Sequence, residues 1–271
     1  MLFHAFRALI PLLLTAAMAT ASAQTPRTTL LEDLTWTELR TEIHAGKTTA
    51  IIPIGGTEQS GPYVALGKHN ARVFVLTQRI AEKLGNALVA PVIAYVPEGN
   101  IAPPTSHMRF PGTLTVPAAV FEKTLESAAE SLKAAGFRNV VFLGDHGGYQ
   151  GAVRNVVARL NKSWAKGSAR AFVPPEYYET SSTGYAALLR QHGVPEKDIG
   201  THAGLADTAL ELAVAPRMVR SAELAHAPAP TAAEGIYGGD PRGATAALGQ
   251  LGVDAIVQAT VGAIRRDTAG R

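Results

Sequence analysis

The sequence has 271 residues, 46% of them hydrophobic and 17% charged, with 25 Lys and Arg against 22 Asp and Glu. That composition excludes a disordered tail, a collagen-like fibre and a coiled coil, and its basic residues are scattered, so the counterion release that drives nucleic-acid binding has little to act on. With no cysteine, thiol nucleophiles, thiolate metal sites, iron–sulfur clusters and disulfides are all removed, and any metal must sit on His, Asp or Glu.

The chain opens on the pattern of an export signal: Arg7, an apolar run over residues 8–20, and Ala21-Ser22-Ala23 before Gln24. The run is interrupted by Pro11 and falls short of the ~20 residues that cross a bilayer. No later stretch reads as a span, so no membrane partner is expected. Residues 1–23 are expected to be a signal peptide cleaved near Ala23-Gln24, and residues 24–271 one domain in the periplasm or outside the cell. The segment 25–47 reads as an N-terminal strap or helix with Trp36 and Leu39 on its buried face.

From residue 48 onward, short apolar runs alternate with helical patterns, the mark of a layered α/β domain with a largely parallel sheet. Strands are expected over 48–54, 87–96, 139–143 and 169–173. Helices are expected over 70–84, 116–135, 151–164, 181–192, 207–214 and 243–266, with 225–234 as a connecting loop.

In such sheets ligands gather beyond the carboxyl ends of strands. Three polar clusters fall there: Gly55 to Tyr63 with Leu66-Gly-Lys-His-Asn70, Gly144-Asp-His-Gly-Gly148, and Thr201-His-Ala-Gly204 with Asp207. Glu58, His69 and His146 supply one carboxylate and two imidazoles, the ligand count of an open catalytic zinc site. Asp207 reads either as a fourth ligand or as a helix N-cap. Asp145 reads either as a turn residue or as the acceptor that orients a liganding imidazole. Trp164, Tyr177 and Tyr178 fit a pocket wall or the core equally well.

These residues resemble the creatininase family of metal-dependent amidohydrolases. Glu58-Gln-Ser-Gly-Pro-Tyr63 and Leu66-Gly-Lys-His69 stand where the family has Glu-Gln-His-Gly-Pro-His and Leu-Gly-Thr-Asp. Phe110-Pro-Gly-Thr113, Asp145-His-Gly-Gly148, His202-Ala-Gly204 and Gly239-Asp-Pro241 with Ala244-Thr245 are similar to further family motifs in the same order. The resemblance runs over residues 48–264. It implies a single-domain, three-layer α/β/α sandwich with a mostly parallel sheet, a homo-oligomer, and hydrolysis of a C–N bond in a small cyclic amide or formamide. Creatinine itself is not the expected substrate.

The resemblance also implies two divalent metals, one of them held at the positions of Glu58, His69 and His146. The family's middle ligand is an Asp that bridges both metals. An imidazole offers one lone pair, so His69 cannot bridge. The second site is further depleted, because Ser60 replaces a His and Gly148 stands at one position of a Glu. The expectation is therefore one divalent metal per chain, zinc first with Mn or Fe as alternatives, on Glu58, His69 and His146 with Asp207 as a fourth ligand. His202 is expected as the proton-transfer group beside Glu58, and Ser60, Tyr63, His107 and Asp145 as substrate contacts. The alternative is a catalytically degenerate protein that binds a metal or small ligand outside the cytoplasm.

Overall fold

The structure is a computed structural model that describes residues 27–269; the expected signal segment lies outside them. In chain order it contains α1 (Trp36–His44), β1 (Thr49–Ile54), α2 (Lys68–Leu84), β2 (Ala87–Val89), α3 (Ala118–Ala135), β3 (Asn139–Gly144), α4 (Gln150–Ser163) and β4 (Arg170–Phe172). Then come α5 (Pro175–Glu179), α6 (Tyr185–Gln191), α7 (Glu196–Ile199), α8 (Leu205–Val214), α9 (Ser221–Leu224) and α10 (Ala246–Thr268). The strands form one parallel sheet in the order β2-β1-β3-β4.

Because side chains alternate along a strand, successive residues feed two separate cores. Ala50, Ile52, Val140 and Phe142 pack with Phe121 and Leu125 of α3 and Val153 and Val156 of α4. Ile51, Val141 and Leu143 pack on the other face with Val73 and Leu76 of α2, Leu210 of α8 and Ile256 of α10. Both sheet faces are covered, and this is why the strands read as continuous apolar runs. The expected α/β/α layering is thus present.

Several expected elements differ in detail. The strand expected over 87–96 ends at Val89, since Pro91 has no N–H for the ladder; the chain touches the sheet again where Ile93 bridges Ile54. α1 starts at a reciprocal cap between Thr35 and Glu38. Leu39 packs inward, but Trp36 is 72% exposed under the Arg40 guanidinium, so it lies off the buried face where it was expected.

α10 is long and apolar enough in composition to cross a bilayer, although no span was expected after the leader. Its packing explains the apolarity: it lies along α8 and α2, and half of its apolar window is buried. The close approach needs glycine, because a Cβ at Gly249 would sit 1.8 Å from the Ala209 carbonyl oxygen and one at Gly252 2.7 Å from the Tyr185 ring.

β1 continues into α2 on one face, and its neighbour β3 continues into α4 on the other. The strand order reverses at this β1/β3 pair, which opens a crevice at their carboxyl ends.

Candidate metal centre and cleft

Glu58 leaves the end of β1 with no exposed surface, and its two carboxylate oxygens face different chemistry. Around Oε1 lie His69 Nε2 at 2.8 Å, Lys68 Nζ at 3.5 Å and His202 Nδ1 at 3.5 Å. Oε2 is approached by His107 Nε2 at 3.3 Å and His146 Nε2 at 3.4 Å, yet it has no hydrogen-bond partner among the described residues. Glu58, His107 and His146 each offer one ligand atom, and the three atoms lie within 4.8 Å of one another. Burial alone would raise the Glu58 carboxyl, but Lys68, His69 and His146 hold it well below the usual carboxylate range.

Local folding places each imidazole. His146 follows β3, where the Tyr149 hydroxyl accepts from His146 N at 3.0 Å and donates to the carbonyls of Ile54 and Gly55, tying the loop to β1. His107 is held through Thr113 of the Phe110-Pro-Gly-Thr113 turn, whose hydroxyl donates to the His107 carbonyl and accepts from Gln59 N. The Gln59 amide nitrogen lies 3.0 Å from His107 Nδ1 and donates to the Gly235 carbonyl at 3.2 Å. His202 Nε2 donates to the Gln59 carbonyl at 2.9 Å, leaving Nδ1 turned toward Glu58. Burial keeps all three rings neutral: it lowers His107, takes His146 to about 4 and, with the charge of Lys68, takes His202 to about 3.

The expected ligand set is therefore redrawn. His69 has both ring nitrogens engaged, Nδ1 with Asp145 at 2.6 Å and Nε2 with Glu58 at 2.8 Å, and has none left for a cation. Burial and Lys68 oppose its protonation, but the bonds to Asp145 and Glu58 prevail and raise it to about 9. Asp207 is bonded to Lys68 and accepts from Arg72 Nη1 at 2.7 Å, so it faces ammonium and guanidinium rather than Glu58. It is not the N-cap of α8, a position held by Gly204; its carboxylate instead accepts from Ala203 N at 3.1 Å. Asp145 does orient an imidazole, that of His69, while also accepting from Arg72 and from the Tyr177 hydroxyl.

A cleft of ≈790 Å³ opens over this centre, with Lys68, His69, His107, Asp145, His146, His202 and Asp207 in its wall. Tyr178 and a π-helical turn carrying Ser181, Ser182 and Thr183 form its outer wall. Two expected substrate contacts lie elsewhere. Ser60 is buried with its hydroxyl unpartnered among the described residues, and Tyr63 packs beside Val64, Val219 and Leu224. Trp164 belongs to the core on the far face of the sheet and Tyr177 is buried beside Asp145; of the three aromatic residues considered for a wall, only Tyr178 lines the cleft.

Sequence reasoning missed Gln59, Lys68, Arg72, Glu98 and Glu211. Glu98 is buried with both oxygens unpartnered among the described residues, Oε1 lying 3.7 Å from His146 Nδ1. Burial and the neighbouring Glu58 raise it to about 8. Glu211 is buried behind Arg72, and burial raises it to about 8. A usable signal was present in Lys68-His69 and Arg72, which put three basic residues into the first turns of a helix whose amino end disfavours cations.

Comparison with known proteins accords with this geometry. The family described as "Creatininase: Creatinine amidohydrolase" matches residues 32–264. A mycofactocin precursor peptide peptidase of Mycolicibacterium smegmatis is 28% identical over 188 residues, 68% of this chain and 64% of that protein. A creatinine amidohydrolase of Pseudomonas putida is 27% identical over 114 residues, 42% of this chain and 43% of that protein. The aligned stretches thus cover less than two thirds of these relatives. Among solved structures, a creatinine amidohydrolase superposes with a TM-score of 0.77 at 21% identity, covering 91% of this chain and 100% of that one. A manganese creatininase superposes at 0.75 with 23% identity over 90% of this chain and 100% of that one. The order of strands, the family match and the shared fold lead to one conclusion: the chain belongs to the creatininase family.

Proposed function

We propose that this chain is a hydrolase of amide C–N bonds that works with one divalent cation on Glu58 Oε2, His107 Nε2 and His146 Nε2. One observation carries the reading: a buried carboxylate oxygen without a hydrogen bond among the described residues has two neutral imidazole nitrogens turned toward it. Leaving such an oxygen unpaired is costly, and a cation would satisfy all three donors together. Two nitrogens and an oxygen suit Zn, Mn or Fe, and related creatininase structures include a manganese form and a Zn-Zn type. Such an ion supplies Lewis acidity, lowering the pKa of a water toward ~7 and polarising a carbonyl.

The chain's own groups would do the rest. Beside the two rings, Gln59 Nε2 lies 3.0 Å from His107 Nδ1, and Gly148 N and Glu98 Oε1 lie 3.3 and 3.7 Å from His146 Nδ1. A cation on the two Nε2 atoms would require both Nδ1 atoms to carry the ring proton. His202, neutral and with Nδ1 free, would receive a proton from the attacking water. The low value makes the free ring a weak base and its protonated form a strong acid, which favours handing the proton on to a leaving nitrogen. The cleft is at the upper end of ordinary ligand pockets, so small cyclic amides, formamides and short peptides are the substrates to try.

The test is a hydrolysis screen over lactams, hydantoins, formamides and short peptides with Zn, Mn or Fe. Activity should vanish on chelation and in His146→Ala. Activity that survives both, or a purified protein that takes up no metal, would overturn the proposal, and metal uptake without hydrolysis would favour a binding protein. As part of the same reading, residues 1–23 are an export signal and the mature chain a homo-oligomer. A secreted product beginning at Gln24 and a light-scattering mass above one chain check these two statements.

A further inference from the structure

We infer that Lys68 is a protein-borne second cation, filling the Oε1 side of Glu58 so that the cleft holds one divalent ion and not two. The inference rests on the proposed metal reading and adds a residue to it.

The geometry begins with α2. Lys68, His69 and Arg72 are 1%, 4% and 4% exposed, although they occupy the first turns of a helix whose amino end already carries positive partial charge. Burying cations there is unfavourable unless each is paired. Each is paired. Lys68 Nζ bonds Asp207 and lies 3.5 Å from Glu58 Oε1. Arg72 joins Asp145 to Asp207, with Nε at 2.9 Å from the first and Nη1 at 2.7 Å from the second. His69 links Asp145 to Glu58. Three basic side chains thus tie three carboxylates into one network.

The network divides Glu58. Its Oε1 meets nitrogen groups that belong to the fold, whereas Oε2 meets only the two imidazoles of the proposed metal set and makes no hydrogen bond among the described residues. A divalent ion on the Oε1 side would have to sit beside the Lys68 ammonium and share Glu58 and Asp207 with it. At such separations two positive charges repel strongly, even at the moderate effective dielectric of a protein interior. The related Zn-Zn type structure shows that this fold can carry two ions. In the present chain the ammonium supplies the second charge. Because Lys68 also lines the cleft, that charge faces a bound substrate.

The experiment is equilibrium dialysis of chelator-stripped protein against excess Zn²⁺ or Mn²⁺, followed by elemental analysis and a thermal melt. It uses the full chain, Lys68→Ala and Lys68→Arg. One equivalent is expected for the unaltered protein and for Lys68→Arg. Two are expected for Lys68→Ala, in which Asp207 Oδ2 and Glu58 Oε1 lose the ammonium while Arg72 and His69 keep their bonds to the two carboxylates, and the second ion should raise the melting temperature of that variant.

Two equivalents on the unaltered chain would overturn the inference, and so would a folded Lys68→Ala that still takes one. If Lys68→Ala does not fold, Lys68→Gln, which keeps a polar link to Asp207, is read by the same criterion. No equivalent on the unaltered chain would overturn the metal reading; uptake of one ion by Lys68→Ala would then still support the role given to Lys68, and no uptake by either would overturn both.

Discussion

Glu58 Oε1 is held by nitrogen groups of the chain while Oε2 has two imidazoles turned toward it and no hydrogen bond among the described residues, so substitutions on the two sides should behave differently. His107→Ala should lower bound metal at least tenfold while leaving the fold largely intact, because its ring is only partly buried and sits at the cleft wall. His69→Ala should instead destabilise by about 3–5 kcal/mol, since it strips a partner from buried Asp145 and Glu58. Metal analysis beside urea unfolding separates the two outcomes; a His69→Ala variant of unchanged stability would count against the network. The sequence showed Glu58 and His146 as candidate ligands because they follow β-rich runs at a predictable end of the sheet. It did not separate His69 from His107. His69 lies one residue after a lysine whose partner Asp207 is 139 positions away, and only the folded chain shows that pairing.

At the scale of elements, α8 and α10 approach so closely that glycine backbone replaces side chains between them. Gly249→Ala should push α10 off the Ala209 carbonyl and cost about 1–3 kcal/mol, the range for overpacking. The check is a thermal melt, and an unchanged midpoint would mean that the helices separate without penalty. α8 carries Asp207 and Glu211 toward Arg72, so a shift of α8 should also loosen the ion network. Most elements were legible because apolar spacing marks helices and continuous apolar runs mark strands covered on both faces. What escaped was set by single residues: Pro91 ended β2 early, and Trp36 faces solvent because α1 packs through Leu39 and Ile43 instead. The π turn at Thr180–Gly184 overlaps the start of the helix expected over 181–192, since nothing in Ser181-Ser-Thr183 distinguishes a π turn from an α one.

For the molecule as a whole, the buried carboxylates make stability depend on acid. Burial by itself would raise Asp207, but Lys68 and Arg72 hold it well below its ordinary 3.8. With a folded value below the unfolded one, the Asp207 pairs contribute fully above pH ~4 and lose that contribution as pH falls toward the folded value. The urea midpoint should therefore drop between pH 5 and pH 3, and Asp207→Asn should be less stable at pH 7 with a shallower acid slope. An identical slope in both proteins would remove Asp207 from the account. The same network has a consequence for how the molecule comes into being. Lys68 and Arg72 enter the interior on a helix near the start of the domain, while Asp207 and Glu211 arrive only with α8. A nascent chain that has yet to emerge as far as α8 has Glu58 for Lys68 and Asp145 for Arg72 but lacks the Asp207 that both basic side chains share. The pocket therefore cannot mature on the ribosome ahead of the last quarter of the polypeptide, and a product clipped before α8 should be recognised as unfinished and degraded.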